Sequence, residues 1–248
     1  MKIIDGHFHI IDTQFPLVEN SGFLPNEFTC DSYLKQADEL KIVGGAIVSG
    51  SFQAFDQTYL VSALKKMGPS YVGVTQLPAS TSNEEILRLN ELGIRAVRFN
   101  LKRGGSERIE HLEKFSNRIH HIAGWHTELY VDSKDLLELQ PIIENLPSVS
   151  IDHLGLSKEG FSTLIRLVEK GIKVKATGFG RVDFDVVKAL QDIILVDPTS
   201  LIFGTDLPST RAPKAFSKED IELITDTFDP AICHKIFYEN AAAFYRLD

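Results

Sequence analysis

Short apolar runs rich in β-branched residues alternate along this chain with longer stretches whose hydrophobic positions recur at helical spacing. The runs 3–9, 45–49, 71–77, 96–101, 127–131, 149–153, 172–177 and 201–206 have the length and composition of strands. The punctuation between them is helical. Asp31 stands as the N-cap of 32–41, and 83–92 repeats Ile86, Leu87 and Leu89 before stopping at Gly93. The stretch 133–145 opens on a serine cap and is followed by Pro147, 158–170 ends at Gly171, and 182–194 is followed by Pro198. A last stretch, 230–246, reads as a closing helix with Pro230 in its first turn.

Eight strand–helix units in 248 residues predict an α/β fold, a (β/α)8 barrel of parallel strands forming one domain over 1–248. A doubly wound open sheet is the competing arrangement, and it wants a glycine-rich phosphate loop after the first strand. Here that position reads His-Phe-His-Ile-Ile-Asp. Composition changes little: 43% hydrophobic and 24% charged residues are ordinary for a globular chain that buries its own core. The net charge of −8 argues against nucleic acid or membrane surfaces as partners. Cys30 and Cys233 are far apart and form no metal or redox pair motif, so reduced thiols are expected. With no signal-peptide core and no apolar run of about 18 to 20 residues, a cytoplasmic location is expected; a homo-oligomer stays open.

Candidate chemistry gathers at strand ends, where barrels of this kind keep their reactive groups. Strict alternation along 2–9 would put Asp5, His7 and His9 on one face. The other strands end with Ser49 and Ser51, Gln76, Arg98 and Asn100, Glu128 and Tyr130, His153, Lys175 and Thr177, and Asp206. Each has a bland explanation: paired histidines can be incidental, His153 can cap a strand, and Asp206 before Leu-Pro can hold a turn. Jointly, His7, His9, His153 and Asp206 would converge on one barrel mouth.

The motifs DGHFH, VRFNL, IDHLG, VKATGFGRV, FGTDLP and YENAAAFYRL, in this order over the whole chain, resemble the amidohydrolase-related family, most of all its branch of lactonases similar to pyrone-dicarboxylate lactonase. The resemblance implies a hydrolase whose reaction centre is His7, His9, His153 and Asp206, with Asp206 as the general base. It also implies, for metal-dependent members, one divalent ion (zinc or manganese) on His7, His9 and Asp206, with His153 and Glu128 as further ligand candidates. In the lactonase branch a metal-free reaction is also implied, the histidines then bonding the developing oxyanion. The chain departs from the two-metal pattern. Arg98 and Asn100 stand where a bridging lysine would be, and strand five offers Glu128 with His126 lower on the same face. The related nucleases, which want a glutamate on strand four, fit poorly with an acidic chain.

Arg98, Arg103, Lys175 and Arg181 would surround the mouth and suggest an anionic small-molecule substrate, unless they pair with Asp132, Asp183 or Asp185. Tyr130 and Ser49 are candidates to hydrogen-bond the same ligand. The expected reaction is hydrolysis of a cyclic ester, a sugar lactone or carboxylated lactone, by water activated at Asp206 with its carbonyl polarised by the histidines or a metal. A metal-dependent decarboxylase similar to the aminocarboxymuconate-semialdehyde branch is the alternative, and a non-catalytic binding barrel a third.

Overall fold

Each apolar run carries a strand of an eight-stranded sheet in strict sequence order: β1 (Ile3–Phe8), β2 (Ile42–Val48), β3 (Tyr71–Thr75), β4 (Ile94–Asn100), β5 (His126–Tyr130), β6 (Val149–Ile151), β7 (Lys173–Ala176) and β8 (Leu201–Phe203). Every pairing is parallel. This computed structural model describes residues 1–247. The helices between strands are α1 (Cys30–Leu40), α2 (Thr58–Met67), α3 (Asn83–Glu91), α4 (Leu112–Ala123), α5 (Leu136–Ile143), α6 (Phe161–Glu169) and α7 (Val186–Val196). After β8 come α8 (Lys218–Thr227), α9 (Pro230–His234) and α10 (Asn240–Tyr245), the last two joined by a π-helical turn. The result is a (β/α)8 barrel, and among the described residues no helix is long and apolar enough to cross a membrane.

Helix starts differ from the sequence expectation where two polar residues compete for the cap. Thr29, not Asp31, caps α1, its Oγ1 accepting from Ser32 N at 3.3 Å, while Asp31 pairs with Lys66. Asp132 rather than Ser133 opens the turn before α5, and Ser133 instead donates to Gly155 O. The expected helices at 158–170 and 182–194 begin later, at Phe161 and Val186, where Gly160 and Asp185 take the N-cap positions. Helices α2, α4 and α8 had no expected counterpart.

The barrel interior is layered. Ile4, Ala46, Val48, Val72, Val74, Ala96 and Ile202 fill the lower layer, and Ala241 and Tyr245 pack beneath them from the C-terminal helix. The single Tyr245 hydroxyl proton is shared between Gly6 O (2.9 Å) and Glu128 Oε1 (2.7 Å), which fixes this helix across the floor.

A bulge in β1 corrects the expected alternation. Asp5 pairs with Gly45 and Phe8 with Ile47, so three steps on β1 face two on β2. Side-chain parity flips between Asp5 and His7. Phe8 stacks on Tyr33 of α1 at 3.6 Å between ring centroids, and His7 and His9 reach the barrel mouth. Asp5 belongs to the outer side, where its Oδ2 accepts from Tyr33 OH (3.1 Å) and Thr205 Oγ1 (2.6 Å). Its Oδ1 accepts from Thr205 N (2.9 Å) and His7 N (3.1 Å). That carboxylate clasps β1 to the end of β8. Two backbone bonds complete the seam, Asp206 N to His7 O and His9 N to Leu207 O, both 2.7 Å. Gly204 permits the approach, since a Cβ there would lie 2.8 Å from His7 N.

Removing the clasp by Asp5→Ala strands two buried N–H groups and is expected to cost about 3 kcal/mol in urea denaturation. Burial pushes the Asp5 carboxyl up to about 6, against the pull of its hydrogen bonds. A carboxyl raised on folding stabilises when protonated, so its contribution is full below about pH 4 and fades as pH rises through 6. Wild type should therefore lose stability relative to Asp5→Asn between pH 4 and 7; a constant difference across that range would show that Asp5 has no such shift.

Candidate active site

Above the apolar layer, the inward positions of β4 to β8 become polar. Arg98 on β4, Glu128 on β5, Lys175 on β7 and the pair Asp152–His153 after β6 all lie inside the barrel and are buried. Consecutive residues of a regular strand cannot both face inward. Asp152 keeps the inward parity of Ser150, and His153 follows with a left-handed backbone (φ +52°) that turns its ring back to the mouth. Asp206 has the same conformation (φ +59°) after β8.

The upper cluster is the expected one. His7 Nε2 and His9 Nε2 lie 3.9 and 3.7 Å from Asp206 Oδ1. The His153 ring stands edge-on to His7 at 4.9 Å between centroids. Arg181 grips the other carboxylate oxygen, its Nε donating to Asp206 Oδ2 at 2.8 Å while Nη2 lies 2.6 Å from the same atom. Four imidazole and carboxylate atoms face this space, and His7 Nε2, His153 Nδ1 and Asp206 Oδ1 are buried with no hydrogen-bond partner. Burial works to raise the Asp206 carboxyl, and the positive charge of a protonated His153 and of Arg181 holds it far below the carboxylate range. Burial keeps His153 itself neutral, so Arg181 is the cation that acts near neutral pH.

Beneath lies a second, charge-compensated layer. Lys175 Nζ contacts Glu128 Oε2, lies 3.6 Å from Asp152 Oδ1 and 3.2 Å from His7 Nδ1. Arg98 donates to Asp152 Oδ2 from Nε (3.0 Å) and Nη2 (2.8 Å), and from Nη1 to Ser49 O (3.0 Å). Burial would raise Asp152, yet Arg98 and then Lys175 hold it well below its usual range; Lys175 likewise outweighs burial at Glu128. An ammonium only donates, so the Lys175 contact makes His7 Nδ1 an acceptor and leaves the proton of the neutral ring on Nε2. Burial, then the Lys175 charge, pushes His7 down to about 3, so that ring is neutral at pH 7. His9 is set the other way. Its Nδ1 donates to Val48 O at 2.6 Å, and Nε2 of the neutral ring is a bare lone pair.

Among the residues expected at the site, His7, His9, His153 and Asp206 meet, with Arg181, Arg98 and Tyr130 on the wall of one cleft. Arg98 stands over the Tyr130 ring at 5.0 Å, but its hydrogen bonds go to Asp152 and Ser49. The other three lie elsewhere. Val48 takes the inward position of β2, so Ser49 faces outward and its hydroxyl bonds Tyr59 of α2 at 2.7 Å. Lys175 is completely buried under His7, and Glu128 is held between Lys175, His126 (3.2 Å) and Tyr245. Asp152 was not among the expected residues, although its parity with Ser150 was readable. Arg211, in the loop after β8, was also missed.

For a divalent ion, His7 Nε2, His9 Nε2 and Asp206 Oδ1 offer three buried donor atoms within 4.8 Å of one another. His9 Nε2 and Asp206 Oδ1 have open lone pairs; His7 Nε2 becomes one when its Nδ1 proton turns to Asp152 Oδ1 at 3.5 Å. The set fits one ion of the zinc or manganese class.

Parallel strands that deliver three imidazoles and a carboxylate to one end of a barrel define an enzyme of the hydrolase-barrel class. The chain belongs to the amidohydrolase family, whose sequence profile matches residues 4–247. It is 24% identical over 233 residues to the 2-pyrone-4,6-dicarboxylate hydrolase of Comamonas testosteroni, covering 83% of this chain and 76% of the relative. With the D-galactarolactone isomerase of Agrobacterium fabrum it shares 23% identity over 270 residues, covering 98% and 91%. A crystal structure of a probable 2-pyrone-4,6-dicarboxylic acid hydrolase from Acinetobacter baumannii with citric acid bound superposes with a TM-score of 0.86 at 24% identity, covering 99% of this chain and all of the other.

Lys175→Met would leave two buried carboxylates without their shared cation. It is expected to cost about 3 to 5 kcal/mol in chemical denaturation. A loss under about 1 kcal/mol would mean that Glu128 and Asp152 do not depend on Lys175.

Proposed function

We propose that this enzyme hydrolyses a small anionic lactone. The observation that carries the reading is the bare Oδ1 of Asp206, set between His9 Nε2 and His7 Nε2 at the foot of a cleft walled by Arg98, Arg103, Arg181 and Arg211. The two relatives named for lactone chemistry support the same class.

A water molecule that donates one proton to Asp206 Oδ1 and the other to His9 Nε2 presents its lone pair to a bound carbonyl. Asp206 takes a proton as the bond forms. His7 carries its proton on Nε2 and donates it as a hydrogen bond to the carbonyl oxygen, where negative charge develops; such a donor contributes roughly 3 to 4 kcal/mol. Neutral His153 lines the same side and excludes bulk water. Asp206 returns its proton to the leaving ring oxygen as the ester opens. Arg181 has a double part: it keeps Asp206 ionised in the free enzyme, and a substrate carboxylate that draws its guanidinium away raises the basicity of Asp206 when the substrate arrives. A divalent ion held by His7, His9 and Asp206 would supply Lewis-acid polarisation of the carbonyl and a more acidic water.

Asp206→Asn removes the base and keeps the Arg181 contact through the amide oxygen. It should lower kcat by about 10³ or more, measured as acid release from a panel of sugar and carboxylated lactones, with an unchanged circular dichroism spectrum. Turnover near wild type would exclude Asp206 as the base. In ¹⁸O-labelled water, hydrolysis places one label in the product acid. An isomerase would incorporate none, and a decarboxylase would release carbon dioxide instead.

A further inference from the structure

A pocket of about 740 Å³ opens at the end of the barrel away from the reactive cluster, where β3 and β4 begin. It lies between α2, the end of α3 and the residues that follow α10, and its size suits a small ligand. Val61, Leu64, Tyr71 and Leu92 give its wall an apolar part, and Lys65, Arg95 and Arg246 a cationic one. Glu91 is the one acidic residue there. Three cations against one carboxylate reverse the local sign in a protein whose net charge is −8.

Both arginines are anchored by one nitrogen only. Arg95 Nη1 donates to Asn90 O (2.8 Å) and Ile94 O (2.9 Å), and Arg246 Nη1 to Ala123 O (3.2 Å). Asn90 and Ala123 lie in the last turns of α3 and α4, where carbonyls lack helical partners. These bonds fix each guanidinium in place, and among the described residues the Nε–Nη2 edge of neither has an acceptor. That edge is the fork that matches a carboxylate with two parallel bonds. Among the described residues neither arginine has a carboxylate within 4.0 Å, Glu91 included. Burial, then the Arg246 charge, lowers the proton affinity of Arg95, so the two cations oppose each other in the free protein.

We propose that this pocket binds an anionic amphiphile, with its carboxylate on the free edges of Arg95 and Arg246 and its hydrocarbon part on Val61, Leu64, Tyr71 and Leu92. An inorganic anion would pair the cations but leave the apolar wall in water. A neutral apolar molecule would cover the wall and leave the cations unpaired. Only a ligand with both parts satisfies the whole pocket. It is a second site, at the opposite strand ends from His7, His9 and Asp206, and it does not depend on which reaction they perform.

Octanoate is the probe, with octan-1-ol, butanoate and inorganic phosphate each lacking one part of it. Calorimetry should show octanoate binding at least about tenfold more tightly than any of the three. Trp125, the one tryptophan of the chain, reports the location. Its Nε1 donates at 3.1 Å to Asn90 Oδ1, which Arg95 Nη1 also reaches at 3.4 Å. Its emission should therefore change saturably with the same dissociation constant. Arg246→Gln should weaken octanoate about tenfold, and Lys65→Glu, at an exposed position, about threefold or more. Asp206→Asn should bind it as wild type does. Octanoate held no more tightly than octan-1-ol overturns the proposal. So does binding without a change at Trp125, or binding lost in Asp206→Asn, since either moves the ligand to the mouth. A dimer in sedimentation that becomes monomeric in both Arg246→Gln and Lys65→Glu would give the face to a second copy of the chain instead.

Discussion

The barrel is closed, and its site assembled, by one carboxylate that never enters the cleft. Asp5 binds the backbone and hydroxyl of Thr205 on the last strand, the amide of His7 on its own strand and the phenol of Tyr33 on α1. The four donors converge because β1 carries a bulge between Asp5 and Phe8, and that bulge is what turns both histidines inward. The seam where first and last strands meet is therefore also the place where His7, His9 and Asp206 come together. Closing the sheet and bringing this cluster together are one event in this fold, so damage at the seam reaches the cluster directly.

Inside the barrel, charge is arranged in matched pairs. Glu128 and Asp152 share Lys175, Asp152 also holds Arg98, and Asp206 holds Arg181. Three carboxylates face three cations, which is how ionised groups persist where water is excluded. Against that background His7 and His153 stay neutral, and ring orientations follow from their neighbours: Lys175 makes His7 Nδ1 accept, and Val48 O makes His9 Nδ1 donate. One ring then presents a donor and the other an acceptor to the same small space. Arg211 and Arg103 line the rim of the cleft outside this pairing.

Much of this was legible in the chain. Strand positions were, because a run of β-branched and apolar residues buried on both faces has few other uses, and so was the convergence of His7, His9, His153 and Asp206, because parallel strands in order put all their C-terminal ends on one side. The direction of individual side chains was less legible. Ser49 sits at a strand end as expected, but Val48 holds the inward place beside it. Asp5 shares odd numbering with His7 and His9, yet one inserted residue reverses its face. Lys175 and Glu128 point inward, but too deep to meet a ligand.

The sequence by itself determined the number and order of the strands, the barrel that follows from them, and which strands carry imidazole and carboxylate at their ends, since these depend on local pattern and on a topology with few alternatives. Tertiary structure alone decided the rest. The β1 bulge, the left-handed turns at His153 and Asp206, and the pairing of Arg98 with Asp152 depend on groups 54 to 200 residues apart competing for the same hydrogen bonds and charges. Such competition is settled by distance in space, and no local stretch of the chain contains it.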